Sequence, residues 1–128
     1  MATQIRMVFA LMIGIIIGGV GFGVLHAQTK SPAAYWVTET LEVTDQAAFT
    51  NAIKAVPPTL QAYGGHYIVL GGKIVPGVGS PPSRITIIAF DSLDKAQQWY
   101  GDPAALTART EAQKHAKVRD YTVQGVAN

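Results

Sequence analysis

Two side chains near the middle of the chain, His66 and Arg84, have the chemistry to act on a small molecule. His66 follows a Gly-Gly turn at the start of an apolar segment, and an imidazole with an ordinary pKa of ~6.5 can serve as a general base near neutral pH. Arg84 opens the next apolar segment, and its planar guanidinium can bind a carboxylate or an enolate through two hydrogen bonds. The alternatives are a solvated histidine at a strand end and an arginine in a surface ion pair.

Aromatic residues are the second group of candidates. Trp36, Trp99 and Tyr100 are candidates for the wall of a ligand pocket, and the alternative for each is a place in the hydrophobic core. Glu39 lies on the same side of its predicted strand as two apolar residues. It is therefore either an acid with a raised pKa or an edge residue that reaches solvent.

Several kinds of site are excluded by residue type. The chain has no cysteine, so disulfides, thiolate metal sites, iron–sulfur clusters and a cysteine nucleophile are excluded. His66 and His115 do not form a helical metal-binding pair, so no metal site is predicted. No glycine-rich phosphate loop precedes a helix, and no Gly-x-Ser-x-Gly motif occurs. We therefore expect neither a metal nor another cofactor.

The elements that must position these residues follow from hydrophobic spacing and capping residues. Strands are predicted over residues 35–43, 66–70 and 84–90 and at about 121–125. A helical pattern begins after Asp45 and must break at Pro57-Pro58. Ser92 is predicted to cap a helix over residues 93–100, and Asp102-Pro103 to open another that runs toward residue 116. The order β-α-β-β-α-β predicts an α+β ferredoxin-like domain, a four-stranded antiparallel sheet with its helices on one face.

The third predicted strand, residues 84–90, is apolar on both of its sides. Helices cover one face of the sheet only, so the other face is left open. At ~25 cal/mol per Å², several hundred Å² of exposed apolar surface would forfeit on the order of 10 kcal/mol, which is comparable with the stability of a whole domain. A second copy of the same sheet would cover this face, which predicts a two-fold homodimer.

Nucleic acid is not an expected partner. The formal net charge is only +2, and no basic stripe is present to neutralise phosphates. RNA-recognition motifs share the element order, but they carry stacking aromatic residues on an open third strand. Here that strand is mostly aliphatic, and Phe90 is its only aromatic residue.

The N-terminal residues predict the cellular location of the protein. Residues 7–25 are uncharged and mostly apolar, and they follow Arg6. Residues 1–27 are therefore predicted to be either a signal peptide cleaved after Ala27 or, uncleaved, a transmembrane anchor through residues 7–25. Residues 28–33 form a linker and residues 34–128 the domain. The domain is then periplasmic or secreted, or else membrane-anchored on the non-cytoplasmic side.

Three segments together resemble the domain of unknown function 1330 family: residues 63–73 (YGGHYIVLGGK), residues 82–90 (PSRITIIAF) and the pair Trp99-Tyr100. The similarity runs from about residue 35 to residue 126. It implies a dimeric α+β barrel of ferredoxin-like subunits and no established reaction. Family members often carry a basic residue after the Tyr-Gly-Gly turn and sometimes an arginine before the second Gly-Gly pair, where this chain has His66 and Leu70. The position of Arg84 is retained.

These observations predict an exported homodimer that binds a small molecule between sheet and helices, near His66, Arg84 and Trp99. The alternative is a cofactor-free enzyme, such as a monooxygenase or an isomerase, with His66 as the base and Arg84 stabilising an anion. A dimer that serves only as a scaffold is the third hypothesis.

Overall fold

The computed structural model describes residues 31–127. The predicted leader, residues 1–27, and the first part of the linker lie outside the described residues. Within residues 31–127, no helix has both the length and the apolar character needed to cross a membrane.

The described chain forms one four-stranded antiparallel sheet in the order β2-β3-β1-β4, with helices packed on one of its faces. In chain order the elements are β1 (Ala34–Val43), α1 (Gln46–Ile53), α2 (Pro57–Leu60), a 3₁₀ turn (Gln61–Tyr63), β2 (His66–Leu70), β3 (Arg84–Phe90), α3 (Leu93–Tyr100), α4 (Pro103–Gln113) and β4 (Ala116–Gln124). The predicted α+β, ferredoxin-like architecture is confirmed.

The predicted helix starts are confirmed by their capping hydrogen bonds. The side chains of Asp45, Ser92 and Asp102 each accept hydrogen bonds from backbone N–H groups in the first turn of α1, α3 and α4. Pro57 and Pro58 begin α2 rather than continuing α1, because proline cannot donate the backbone hydrogen bond that a helix interior needs.

The end of α4 differs from the prediction. The helix stops at Gln113, and Ala116, predicted near its end, is the first residue of β4. The reason is pairing with β1, which extends to Val43 opposite Ala116. The same pairing places Lys117 beside Glu42, and their side chains form a 3.2 Å ion pair. Tertiary pairing thus outweighs the local preference of basic residues for a helix C-terminus.

Aromatic residues fill the core between the sheet and α3. Trp36 and Trp99 meet edge to face with 5.2 Å between ring centroids, and Phe90 lies 5.4 Å from Trp99. Trp99 is fully buried, and its indole N–H donates a 2.9 Å hydrogen bond to the Thr59 hydroxyl. These contacts fix α3 on the sheet.

A bulge in β2 changes which side chains face the helices. The plain alternation of a strand predicts Leu70 on the same side as Ile68. The register with β3 shifts between Tyr67 and Val69, so Tyr67 and Leu70 both lie on the helix side. An inserted residue in one strand has this effect on every position that follows.

The other face of the sheet carries no covering element among the described residues. It presents the apolar residues that alternate with those of the helix side: Tyr35, Val37, Ile68, Ile85, Ile87, Tyr121 and Val123. Ile68, Tyr121 and Val123 are each about half exposed, at 50%, 50% and 48%. The predicted open apolar face is therefore present in the single subunit, and we call it the open face below.

Candidate functional site

A cavity of about 280 Å³ lies between the helix side of the sheet and helices α1 and α4. Most of its wall is apolar, and these residues are Trp36, Phe49, Ile53, Val56, Pro57, Tyr67, Leu70, Ala112 and Val118. Its volume is close to the lower end of the ~300–1,000 Å³ range of small-molecule sites. The cavity therefore suits a small ligand with an apolar body.

All of the charged residues in the cavity wall are cationic. Lys54, Arg84 and Arg109 line it, whereas no aspartate, glutamate or histidine does. Like charges gathered in a low-dielectric cleft raise the local concentration of ions of opposite sign. The electrostatics of the cavity thus favour an anion. No group of three or more potential metal ligands occurs within residues 31–127.

Arg84 reaches the cavity from the first position of β3, opposite Thr40 of β1. It forms no ion pair within 4.0 Å among the described residues, so the surface ion pair considered as the alternative is not formed there. Gly71 makes room for it, since a Cβ there would lie 2.7 Å from Arg84 Nη1. Burial raises the pKa of Tyr67, and the charge of Arg84 partly opposes that shift.

Threonine side chains provide polar groups on the sheet side of the cavity. Thr38 of β1 pairs directly with Thr86 of β3, and Thr40 follows one position further along the same face. Thr40 and Thr86 are buried. Hydroxyl groups can donate and accept hydrogen bonds, so they can orient an oxygen-bearing ligand that Arg84 attracts.

Only one of the three aromatic candidates lines this cavity. Trp36 lies in its wall and also in the core, with its indole N–H donating to Asp120 at 3.1 Å. Trp99 is enclosed in the core and Tyr100 lies on the far side of Arg109, so neither of these two reaches the cavity wall.

His66 lies on the opposite face of the sheet from Arg84. It pairs with Ala89 and is exposed, whereas the next residue, Tyr67, lines the cavity. Successive side chains of a strand point to opposite faces. The predicted site that combined His66 with Arg84 is therefore not formed within one subunit.

Arg109 is a cavity residue that the sequence reasoning missed. It projects from α4, is only 5% exposed, and donates a 2.5 Å hydrogen bond from Nη2 to the Tyr100 carbonyl. Its guanidinium also stacks 3.9 Å from the centre of the Tyr100 ring. Burial lowers the pKa of Arg109, and nearby Tyr100 and Asp120 oppose that effect. The group remains charged, because arginine is not deprotonated in proteins.

A signal for Arg109 is present in the sequence. Ala105, Ala108 and Ala112 have helical spacing and are all buried, and Arg109 falls within the same stripe. An arginine in the apolar stripe of an amphipathic helix must be buried with it.

Glu39 is part of the open face and not of the cavity. It accepts hydrogen bonds from Arg119 Nε at 2.9 Å and Nη2 at 3.1 Å, and from the Tyr121 hydroxyl at 3.3 Å. These partners, chiefly Arg119, lower the pKa of Glu39 against the opposing effect of burial. The alternative of an acid with a raised pKa is therefore wrong.

Comparison with protein families gives one match. The family model for the domain of unknown function DUF1330 matches residues 33–126. The resemblance predicted from the sequence is thus confirmed. Among curated proteins, none matches the chain.

Comparison with solved structures shows the same fold in several proteins. The methylated RPA0582 protein, from Rhodopseudomonas palustris, has a TM-score of 0.61 at 13% identity over 82% of this chain and 89% of that one. SnoaB from Streptomyces nogalater, a cofactor-independent oxygenase, has a TM-score of 0.55 at 10% identity over 77% and 97%. A putative antibiotic biosynthesis monooxygenase from Caulobacter crescentus has a TM-score of 0.52 at 10% identity over 77% and 92%. At these identities the similarity concerns the fold of an α+β barrel subunit alone.

Proposed function

This chain belongs to the DUF1330 family, and we propose that it is an exported, homodimeric binding protein for a small molecule with an apolar body and an anionic group. The ligand lies in the cavity between the sheet and helices α1 and α4, and Arg84 holds its anionic group. The observation that carries this proposal is a mostly apolar cavity whose charged wall residues are all cations.

The lack of a carboxylate partner for Arg84 supports its role as the anion-binding residue. A guanidinium can form two parallel hydrogen bonds with a carboxylate. Hydrogen bonds to charged groups contribute about 1.5–3 kcal/mol. Arg84 has this capacity unused by any acidic residue within 4.0 Å among the described residues. A ligand carboxylate would use it.

Ligand binding is tested by measuring how a panel of carboxylates shifts the melting temperature. Each acid, such as octanoate or benzoate, is paired with its uncharged primary amide. A ligand that binds only the native state must raise its stability, so we expect the acids to raise the melting temperature more than the amides.

The role of Arg84 is tested by comparing Arg84→Gln with Lys95→Gln. Both substitutions remove one positive charge, but Lys95 is exposed on α3, away from the cavity. We expect Arg84→Gln to abolish the preference for acids over amides and Lys95→Gln to keep it. Equal shifts for acids and amides with the unmodified protein would contradict the proposal.

The open face supports the proposed homodimer. Three of its apolar side chains, those of Ile68, Tyr121 and Val123, are about half exposed in one subunit, and an identical sheet offers a surface of matching character. Sedimentation velocity at micromolar concentration tests this part of the proposal, since a dimer is expected and a stable monomer would contradict it.

Export rests on the leader sequence, residues 1–27. Cell fractionation and N-terminal sequencing of the purified protein test it. A mature chain that begins at Gln28, outside the cytoplasm, is expected if the leader is cleaved, and a full-length chain in the membrane fraction if it remains as an anchor. A full-length chain in the cytosolic fraction would contradict both.

Binding accounts for this cavity better than base-initiated catalysis does. SnoaB is a cofactor-independent oxygenase, but its similarity to this chain is one of fold. Proton abstraction needs a base within about 3 Å of the substrate proton, directly or through one water. No histidine or carboxylate lines the cavity, and burial keeps Tyr67 protonated by raising its pKa. A scaffold function, in turn, would not require a cavity with cations in its wall.

A further inference from the structure

Arg109 carries a buried hydrogen-bond donor that the protein does not satisfy. Its Nη1 atom is shielded from solvent and has no acceptor among the described residues. An unsatisfied buried donor costs about 1–3 kcal/mol, and more if the group is charged. Such groups are rare in native proteins, and each calls for a physical explanation. An acceptor supplied by a ligand in the adjoining cavity would provide one.

The carboxylate of Asp120 does not fill this role. Its charge acts favourably on Arg109, but the two groups form no ion pair within 4.0 Å. The Asp120 oxygens instead accept hydrogen bonds from the Trp36 indole at 3.1 Å and the Tyr100 hydroxyl at 3.2 Å. Arg109 is therefore held on one side by protein groups and left without an acceptor at Nη1.

Stacking on the Tyr100 ring and the hydrogen bond from Nη2 orient the guanidinium of Arg109. Because both contacts exist without a ligand, little side-chain entropy of Arg109 would be lost when an acceptor binds. The guanidinium itself is thus preorganised, and only the groups that shield Nη1 from solvent must move aside for the acceptor.

Arg84 and Arg109 reach the cavity from different elements. Arg84 projects from β3 of the sheet, opposite Thr40 of β1, and Arg109 projects from helix α4. Two cations on two walls of one cavity can each bind a separate acidic group. A ligand that engages both arginines therefore carries two acidic groups joined by an apolar body.

We infer that Arg109 is a second ligand-binding residue, and that the cavity takes a dicarboxylate with an apolar middle. One carboxylate binds Arg84, and the other accepts from Nη1 of Arg109. The inference rests on the proposed binding function, because it names the ligand class for the same cavity. Lys54 is the remaining cation of the wall, and the experiment must distinguish it from Arg109.

The first experiment uses the unmodified protein and isothermal titration calorimetry. Suberate carries two carboxylates on an eight-carbon chain, and its monomethyl ester and octanoate each keep only one. We expect suberate to bind about tenfold or more tightly than either, which is the effect of one charge-assisted hydrogen bond. Equal affinities for the three would overturn the dicarboxylate inference and leave the proposed function standing. No binding of any of them would overturn both.

The second experiment assigns the second carboxylate to its residue. We expect Arg109→Gln to reduce the affinity for suberate to that for its monomethyl ester, and Arg109→Lys to retain part of the difference. Lys54→Gln removes a wall charge on α1's C-terminal side, and we expect it to keep the preference. The ratio of the two affinities is measured on each variant by itself, so a general loss of stability does not change the readout. Loss of the preference in Lys54→Gln but not in Arg109→Gln would overturn the assignment.

Discussion

The two faces of the sheet are built from alternate residues of the same strands, yet their charged groups are arranged differently. On the helix side, Lys54, Arg84 and Arg109 line the cavity without an acidic residue beside them in its wall. On the open face, Glu39 is paired with Arg119 through two hydrogen bonds. Because successive side chains alternate, one strand can carry a ligand site and a subunit interface at once.

This difference separates the tasks that we propose for the two faces. A binding site for an anion needs donors that the protein leaves unused, as at Nη1 of Arg109. An interface between subunits needs the opposite, since a charge without a partner that becomes buried there is costly. The pairing of Glu39 with Arg119 meets that requirement within one subunit.

The largest expected effect comes from the helix side. Trp99→Ala removes a fully buried indole and leaves the Thr59 hydroxyl without its donor. We expect the free energy of unfolding to fall by about 3–5 kcal/mol, the usual cost of truncating a buried tryptophan. Urea denaturation measures this change.

The matched control for Trp99→Ala is Val78→Ala, because Val78 lies in the loop before β3 and is fully exposed. It should alter stability by no more than about 0.5 kcal/mol. A similar loss in both variants would show that the aromatic core does not dominate the stability of the helix side.

The next effect should separate assembly from folding. Ile87→Asp places a carboxylate in the middle of the open face, opposite Val37. Burying an unpaired charge in the interface costs several kcal/mol, so we expect the dimer Kd to rise by about a hundredfold or more while the subunit stays folded. Sedimentation velocity and circular dichroism measure the two properties.

Val75→Asp is the control for Ile87→Asp, since it introduces the same charge at a residue that is 80% exposed in a loop. It should leave the dimer intact. If Ile87→Asp remained dimeric, the open face would not be the interface. If it unfolded, the folding of the subunit would depend on the open face as well as on the core of the helix side.

Much of the fold could be predicted because its signals are local. Asp45, Ser92 and Asp102 cap helices, and Pro57 interrupts one, through interactions within a few residues of the chain. The N-terminal part of β4 could not be predicted in this way. Its basic residues suit a helix end, and only the pairing with β1, about seventy residues away in sequence, makes it a strand.

The site was less predictable, because it depends on which face each side chain joins. Arg84 lines the cavity, whereas His66, which the sequence groups with it, lies on the opposite face of the sheet. The face of Leu70 depends on a bulge that no local pattern marks. Arg109 could have been found from its place in a buried alanine stripe, whereas its unsatisfied Nη1 is visible only in three dimensions.

A smaller effect should show how closely the backbone fits Arg84. Gly71 has φ +63°, and a Cβ there would approach Arg84 Nη1 to 2.7 Å. Gly71→Ala should therefore cost about 1–2 kcal/mol of stability through the left-handed backbone and also weaken carboxylate binding by displacing the guanidinium.

Gly72→Ala is a matched control for Gly71→Ala, because open space surrounds a Cβ at Gly72 and its φ is not positive. Titration calorimetry with octanoate compares the two variants. Equal binding by Gly71→Ala and the unmodified protein would mean that the position of Arg84 does not depend on this glycine.

The smallest expected effect concerns the ion pair of the open face. Arg119 lowers the pKa of Glu39 below its ordinary value of 4.5, so the ionised carboxylate stabilises the folded protein above pH 4.5, and this stabilisation is lost as the pH falls through the lowered pKa. We expect Glu39→Gln to melt at a lower temperature than the unmodified protein near neutral pH, with a difference that shrinks on acidification. Glu111→Gln, which breaks a comparable pair with Lys114 on α4, should show the same pH trend without changing the dimer Kd. If Glu39→Gln likewise leaves the dimer Kd unchanged, the ion pair stabilises the subunit alone. If Glu39→Gln raises the dimer Kd, the paired charge of Glu39 is part of the interface. That result would match the comparison of the two faces, in which charges on the open face are paired and Nη1 of Arg109 in the cavity wall is not.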